Sequence, residues 1–180
     1  MPKKNNHPTG SRGDRLRLPL LHLQARCGIV EIADGGVRRM NEKELIGKID
    51  SSMYHQIQTR GYAAPVDVLI DTGILPKQKY EDWRFGRVRY LEAVCNANLK
   101  RLSFVLRQMR VYAQTHDLKP SFCYYKRWGV RKKNGTGHKP VIPLQFSKSG
   151  SPEIERSYAT HFVDLARVQE LKAAQPQTEE

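Results

Sequence analysis

Residues 98–114 read NLKRLSFVLRQMRVYAQ, and this stretch decides the class of fold. Its apolar side chains recur every three or four positions, so at 100° per residue they fall on one helical face. These residues are Leu99, Leu102, Val105, Leu106, Met109, Tyr112 and Ala113. The opposite face carries Lys100, Arg107 and Arg110, with Arg101 at its edge. The pattern predicts an amphipathic helix that packs its apolar face into a core.

Helical signals continue on both sides of this stretch. Asn41 with Glu44 three residues later is typical of a capping box, and it predicts a helix from Asn41 to about Gly61. Further helices are predicted over 65–73, 76–86, 90–95 and 120–128, and from Pro152 past Val168. The last of these rests on the helical spacing of Ile154, Tyr158, Phe162, Leu165 and Val168.

The fold class that follows is mainly α, with one small helical domain over residues 41–173. At most a short β-hairpin at 28–39 or an edge strand at 141–146 is expected beside the helices. Residues 1–40 are basic and without a sustained period, which predicts a largely disordered arm or N-terminal extension. Residues 174–180 are predicted to be a disordered acidic tail.

The positive charge of the chain is concentrated in its middle third. Residues 84–140 hold 14 Lys and Arg against 2 Asp and Glu, so they carry +12 of the formal net charge of +13. Concentrated charge of one sign destabilises a compact state through self-repulsion, and a bound polyanion relieves that repulsion. The charge distribution therefore favours a polyanion as the partner, with nucleic acid as the first hypothesis.

The strongest functional signal is the run YYKRWGVRKKNGTGHK, residues 124–139. Its cations provide attraction to phosphates, its aromatic rings can stack on bases, and its glycines let a backbone approach closely. Tyr124 and Trp128 are interpreted here as core residues, because they flank a predicted helix at a spacing of four. Residues 129–140 are predicted to be an exposed loop.

The hypothesis is a non-enzymatic protein that binds DNA or RNA through backbone phosphates. The predicted contact residues are Arg84, Arg87, Arg89, Lys100, Arg107, Arg110, Tyr125, Lys126, Arg127, Arg131, Lys132, Lys133 and Lys139. The alternative is a protein–protein adaptor or regulatory subunit whose basic loop meets an acidic partner. In that case Phe104 and Val111, which lie off the apolar stripe of their helix, would face the partner.

Two weaker signals point to ordinary structure. The helices predicted from Pro65 to Asn96 resemble a helix-turn-helix, yet helical hairpins are common and a packing role is the favoured interpretation. If this segment contacts DNA, Lys77, Gln78, Lys79 and Arg84 are the expected contacts. The run FSKSGSP, residues 146–152, is interpreted as a helix start with Ser151 as the N-cap.

No catalytic or metal-binding motif is recognised, and no cofactor is predicted. Cys27, Cys95 and Cys123 are odd in number and widely spaced, which argues against a disulfide framework and against a zinc site. His161 is interpreted as a histidine at the edge of the core. No apolar run is long enough to predict a membrane span, and a cytoplasmic location is expected. An enzyme without a recognisable motif stays as a third alternative.

Three blocks of sequence resemble a known family. They are YEDWRFGRVRYLE at 80–92, LKPS at 118–121 and FSKSG at 146–150. Together these blocks are similar to a family of uncharacterised bacterial proteins, and the similarity covers roughly residues 41–163. The resemblance implies a bacterial, cytosolic, single-domain protein, and it implies no activity because the family has none assigned.

Overall fold

Two long helices, α1 (Glu42–Arg60) and α4 (Leu99–Thr115), pack against each other in the core. Most of the apolar stripe predicted for α4 is buried between Leu102 and Ala113, whereas Tyr112 is only partly buried and Leu99, at the start of the helix, is 61% exposed. At the start of α1 the predicted capping box is present, with the Glu44 N–H donating to Asn41 Oδ1 at 2.8 Å. The computed structural model describes residues 40–132 and 138–174.

The remaining elements of the described residues surround this pair. Four shorter helices are α2 (Pro65–Asp71), α3 (Lys77–Arg84), α5 (Pro152–Ala159) and α6 (Leu165–Ala173). Three short strands are β1 (Tyr62–Ala63), β2 (Lys119–Phe122) and β3 (Thr160–Val163). The helix predicted over 90–95 is a single 3₁₀ turn, Leu91–Val94. The mainly α prediction is confirmed, and all described residues belong to one compact unit.

The strands form one antiparallel sheet in the order β1-β3-β2. β3 pairs with β1 through Ala63 and Phe162, and with β2 through four residue pairs from Lys119–Val163 to Phe122–Thr160. The helix predicted over 120–128 is therefore wrong, because its first residues form β2. Pro120 fits an edge strand, where a missing N–H costs no ladder hydrogen bond.

The single helix predicted from Pro152 past Val168 is also wrong. It is interrupted by β3, which pairs with β1 on one side and with β2 on the other. Phe162 points into the core and is 8% exposed, whereas Leu165 is 56% exposed. The strand predicted at 141–146 is reduced to two isolated bridges, Tyr90 with Gln145 and Lys126 with Pro143.

Trp83 is the central aromatic residue of the core near α3. Its side chain is fully buried and its indole Nε1–H donates to the Gln145 carbonyl at 2.8 Å. Its ring contacts those of Tyr80, Tyr125 and Phe146 at centroid distances of 6.1, 5.8 and 5.2 Å. The cluster joins α3 to the long segment between β2 and α5. The packing role favoured for the helices between Pro65 and Asn96 is thus confirmed at Trp83.

Several predictions fall outside the described residues. They are the hairpin at 28–39, the arm at 1–40 apart from Met40, and the tail beyond Ala174. Among the described helices, none combines the length and hydrophobicity required to cross a membrane.

Candidate functional site

A surface pocket forms where the C-terminal turn of α3 meets the extended segment that follows β2. Helix α3 ends at Arg84, and Gly86 adopts a φ of 70° that turns the chain back beside the helix end. The Trp128 N–H donates to the Arg84 carbonyl at 2.6 Å. Arg127 Nε donates to the Phe85 carbonyl at 2.9 Å. Two separate stretches of chain are therefore joined edge to edge at this point.

The cavity between them is called here the Trp128 pocket. Its volume is about 470 Å³, which falls within the range of about 300–1,000 Å³ that is usual for small-ligand sites. It is lined by Phe85, Arg87, Arg127, Trp128, Gly129, Val130 and Ile142. The lining combines aromatic rings, guanidinium groups and exposed backbone, which suits a planar ligand that carries negative charge.

The aromatic walls are held in fixed orientations by other rings. Trp128 meets Phe85 edge-on at 5.6 Å and Tyr80 edge-on at 5.8 Å. Trp128 and Phe85 are each 38% exposed, and Tyr124 is 78% exposed. The interpretation of Tyr124 and Trp128 as core residues is wrong, because their segment is extended along the surface and is not a helix. Trp128 instead presents part of its ring to solvent.

Arg84 lies beneath the pocket in a partly buried aromatic setting. Its guanidinium carbon is 4.3 Å from the Trp128 ring centroid and 5.3 Å from that of Tyr125. Its Nε is buried, and within residues 40–132 and 138–174 it has no hydrogen-bond partner. The ring faces stabilise this cation through their quadrupoles. Arg84 Nη1 donates to the Tyr80 hydroxyl oxygen at 3.3 Å. Burial raises the pKa of Tyr80, so the phenol stays neutral.

Most of the cations near the pocket have no carboxylate partner in the described residues. Arg87 pairs with Asp82 at 2.9 Å. No ion pair is found there for Arg84, Arg127 or Arg131. The positive potential of this surface is therefore only slightly neutralised from within the described fold.

Gly86 is required for the position of Arg127, which gives a testable prediction. A Cβ at Gly86 would lie 2.5 Å from Arg127 Nε, and its φ of 70° is unfavourable for any other residue. We expect Gly86→Ala to displace the Arg127 guanidinium and to lower the free energy of unfolding by more than the left-handed strain of about 1–2 kcal/mol. Chemical denaturation followed by circular dichroism measures the loss.

The matched control for this variant is Gly129→Ala. Gly129 has the similar φ of 69°, but a Cβ there would meet only the Phe85 ring at 3.4 Å. Strain alone should then destabilise this control. Equal losses of stability in the two variants would show that Gly86 does not position Arg127.

The structure distributes the predicted contact residues over several places. Arg84, Arg87, Tyr125 and Arg127 are brought together at or directly beneath the Trp128 pocket. Exposed residues that flank the pocket lining along the chain are Lys126, Arg131, Lys132 and Lys139. Exposed residues on other elements are Arg89 after α3 and Lys100 and Arg107 on α4. Lys133 lies outside the described residues.

Arg110 lines a different cavity, between α4 and α5. This groove has a volume of about 710 Å³, with Leu99, Leu106 and Ile154 among its apolar residues. Lys148, Glu92 and Glu153 also line it, so the groove combines cations, carboxylates and apolar side chains. The α4 cations therefore do not all share one surface with the Trp128 pocket.

A second group of chemically active side chains was not predicted. Cys123 Sγ is 3.2 Å from His161 Nδ1, and the Tyr125 hydroxyl is 2.9 Å from His161 Nε2. The pairing of β2 with β3 brings these residues together although 38 positions separate Cys123 from His161. In the described part of the chain, no three His, Cys, Asp or Glu side chains are arranged to hold a metal ion.

Comparisons with family models, with curated proteins and with solved structures give no match to this chain. The resemblance of the 80–92 and 146–150 blocks to an uncharacterised bacterial family stays a prediction. The functional inference therefore rests on the residues and their geometry.

Proposed function

We propose that this protein binds single-stranded nucleic acid and seats one unpaired base in the Trp128 pocket. The observation that carries the proposal is the pocket itself, in which a half-exposed indole stands beside Arg87 and Arg127. Every base has a π-face, so an indole can stack on it with little regard for sequence. Guanidinium groups beside the stacked base can reach the neighbouring phosphates.

The charge around the pocket supports the same proposal. Lys126, Arg131, Lys132 and Lys139 are exposed along the chain segments that form the pocket. Cations spaced along a strand of phosphates release condensed counterions, which makes binding tight at low salt and weak at high salt. A cytoplasmic location, where such strands are available, is part of the proposal.

The direct test is fluorescence anisotropy of labelled RNA and DNA with the full-length protein. Oligonucleotides of about 16 nucleotides match the upper size of a compact single-strand site. Binding should be tighter for single strands than for duplexes of the same sequence. With about four phosphate contacts, affinity should fall about 50-fold between about 50 and 200 mM salt. Equal affinity for single strands and duplexes would contradict the role of the pocket.

Trp128→Leu gives a prediction specific to the stacked base. Loss of the indole should weaken single-strand binding by about 1–3 kcal/mol, or about 5- to 150-fold, because one stacking contact is removed. The matched control is Tyr124→Leu, since Tyr124 is a more exposed aromatic residue outside the pocket. Anisotropy with single-stranded RNA and DNA measures both variants, after circular dichroism has shown that each is folded.

The control should bind within about two-fold of the parent chain, since it leaves the stacking contact in place. Similar losses for Trp128→Leu and Tyr124→Leu would mean that the pocket does not hold a base. The salt slope should change in neither variant, because neither substitution alters the charge.

The adaptor alternative is favoured by one observation. Val111 is 49% exposed on α4 and Leu99 is 61% exposed at its start, so apolar surface is available to a protein partner. An adaptor should show no binding of oligonucleotides at low salt. The anisotropy experiment therefore separates the two functions in one titration.

A further inference from the structure

The end of β2 brings a thiol and an imidazole into direct contact. Ser121 pairs with His161 in the sheet, and two residues later the Cys123 N–H donates to the Ala159 carbonyl at 2.9 Å. This register places Cys123 Sγ at 3.2 Å from His161 Nδ1. Both residues are partly exposed, so the pair lies near the surface of the described fold.

The imidazole is fixed on its other sides. The Tyr125 hydroxyl is 2.9 Å from Nε2. The Tyr62 ring lies parallel to the imidazole, with a centroid distance of 5.4 Å and an interplanar angle of 3°. The Arg60 guanidinium carbon lies over the Tyr62 ring, 4.4 Å from its centroid. His161 is therefore oriented by hydrogen bonding and by stacking, as a general base must be.

We propose that Cys123 is a reactive thiol and a site of oxidation by peroxides, with His161 as its general base. This proposal uses a different group of residues from the Trp128 pocket, and it does not depend on nucleic-acid binding. The tautomer that it requires has a proton on Nε2, which donates to the Tyr125 oxygen. Nδ1 is then free to accept the proton of the Cys123 thiol.

The reaction with hydrogen peroxide is balanced as follows. The Cys123 sulfur attacks one peroxide oxygen while His161 Nδ1 takes the thiol proton. The O–O bond breaks, and the leaving hydroxide receives that proton from the imidazolium and departs as water. The sulfur is oxidised to a sulfenic acid, the peroxide is reduced, and His161 returns to its neutral form.

The protonation states of the two groups make the reaction of Cys123 depend on the base. Burial raises the pKa of the Cys123 thiol, so the sulfur is protonated at neutral pH. Burial also lowers the pKa of His161. Asp67 on α2 raises this pKa to a smaller extent, and Arg60 on α1 lowers it further. The neutral imidazole is therefore present where a base is required, and reactivity depends on proton transfer to it. Tyr62 and Tyr125 are the other titratable groups that face His161.

Cys95 provides an internal control in the same chain. It is also partly buried, but within residues 40–132 and 138–174 its Sγ contacts the Leu91 carbonyl at 3.5 Å and no histidine. Burial raises the pKa of Cys95 to about 12, with a further contribution from Glu92. Because the two thiols also differ in their surroundings, the pH dependence of each rate, and not the difference between the rates alone, reports on the base.

The test measures alkylation by iodoacetamide from pH 5 to 9, with peptide mass analysis to give the rate at each cysteine. At pH 7 we expect Cys123 to react at least about 10-fold faster than Cys95. Its rate should change little with pH above the pKa of His161 and should fall below it. Treatment with hydrogen peroxide and dimedone should give the sulfenic adduct at Cys123 and none at Cys95.

His161→Gln removes the base, while its amide can still reach the Tyr125 hydroxyl. We expect the Cys123 rate at pH 7 to fall about 10-fold, and to rise about 10-fold with each pH unit as for an unassisted thiol. In the same variant the Cys95 rate should not change, because in the described residues the Cys95 sulfur contacts the Leu91 carbonyl and no imidazole. The pH profile of the Cys123 alkylation rate in the unmodified chain tests the proposal even if a variant does not fold. The proposal would be overturned if the Cys123 rate in the unmodified chain rose with pH in proportion to the thiolate fraction, or if it equalled the Cys95 rate.

Discussion

Replacing Trp83 by alanine is expected to lower the free energy of unfolding by about 3–5 kcal/mol, the usual cost of removing a buried large aromatic side chain. Trp83 is fully buried, and its ring is surrounded by those of Tyr80, Tyr125 and Phe146. The substitution also leaves the Gln145 carbonyl without the indole donor. Denaturant titration followed by circular dichroism measures the change.

The effect should reach the Trp128 pocket because the same rings support it. Tyr80 contacts both Trp83 and Trp128, and Arg84 lies over the Trp128 and Tyr125 rings. Trp128→Ala serves as the control for stability, since Trp128 is 38% exposed and leaves a smaller cavity. A loss in Trp83→Ala no larger than that in Trp128→Ala would show that Trp83 is not the centre of this cluster.

The helices that could be predicted are those that carry their own local signals. The α4 stripe has a helical period over many residues, and α1 has a capping box, so both are determined by near neighbours in sequence. The sheet has no such signal. β1 contains two residues, and β3 finds its partners β1 and β2 at distant positions of the chain. Long-range pairing of this kind leaves no period in the sequence.

The error at β3 shows how two periods can coincide. Ile154, Tyr158 and Phe162 are spaced by four, which suits one helical face, yet Phe162 is equally the inward residue of a strand. The error at Trp128 has a similar origin, since its spacing of four from Tyr124 suits one face of a helix although the backbone there is extended. The extended backbone there leaves Tyr124 and Trp128 partly exposed, and Trp128 lines the pocket.

Candidate site residues were predictable to the extent that charge composition identified them. Arg84, Arg87 and Arg127 stand in the basic third of the chain and meet at the Trp128 pocket. Phe85 was not predicted as a pocket wall, because only the turn at Gly86 brings it opposite Trp128. The Cys123–His161 contact was missed because only the pairing of β2 with β3 brings the two side chains together.

Removing three exposed cations beside the pocket should have the largest effect on nucleic-acid binding. The variant Lys126→Ala, Arg131→Ala, Lys132→Ala removes positive charge from side chains that are exposed and pair with no carboxylate in the described residues. For single strands the slope of log affinity against log salt should decrease by about 2, which is about 0.7 for each lost phosphate contact. At about 50 mM salt the affinity should fall by about 100-fold or more.

The same loss is expected for every sequence tested, because phosphate contacts position a strand and carry no base information. The matched control removes three cations from other surfaces, Lys43 and Lys48 on α1 and Lys172 on α6. It lowers the net charge by the same amount, so long-range attraction is equally reduced while the pocket is unchanged. The control should therefore keep most of the slope. If both triple variants lose slope equally, the chain attracts nucleic acid through its total charge and the Trp128 pocket does not direct the strand.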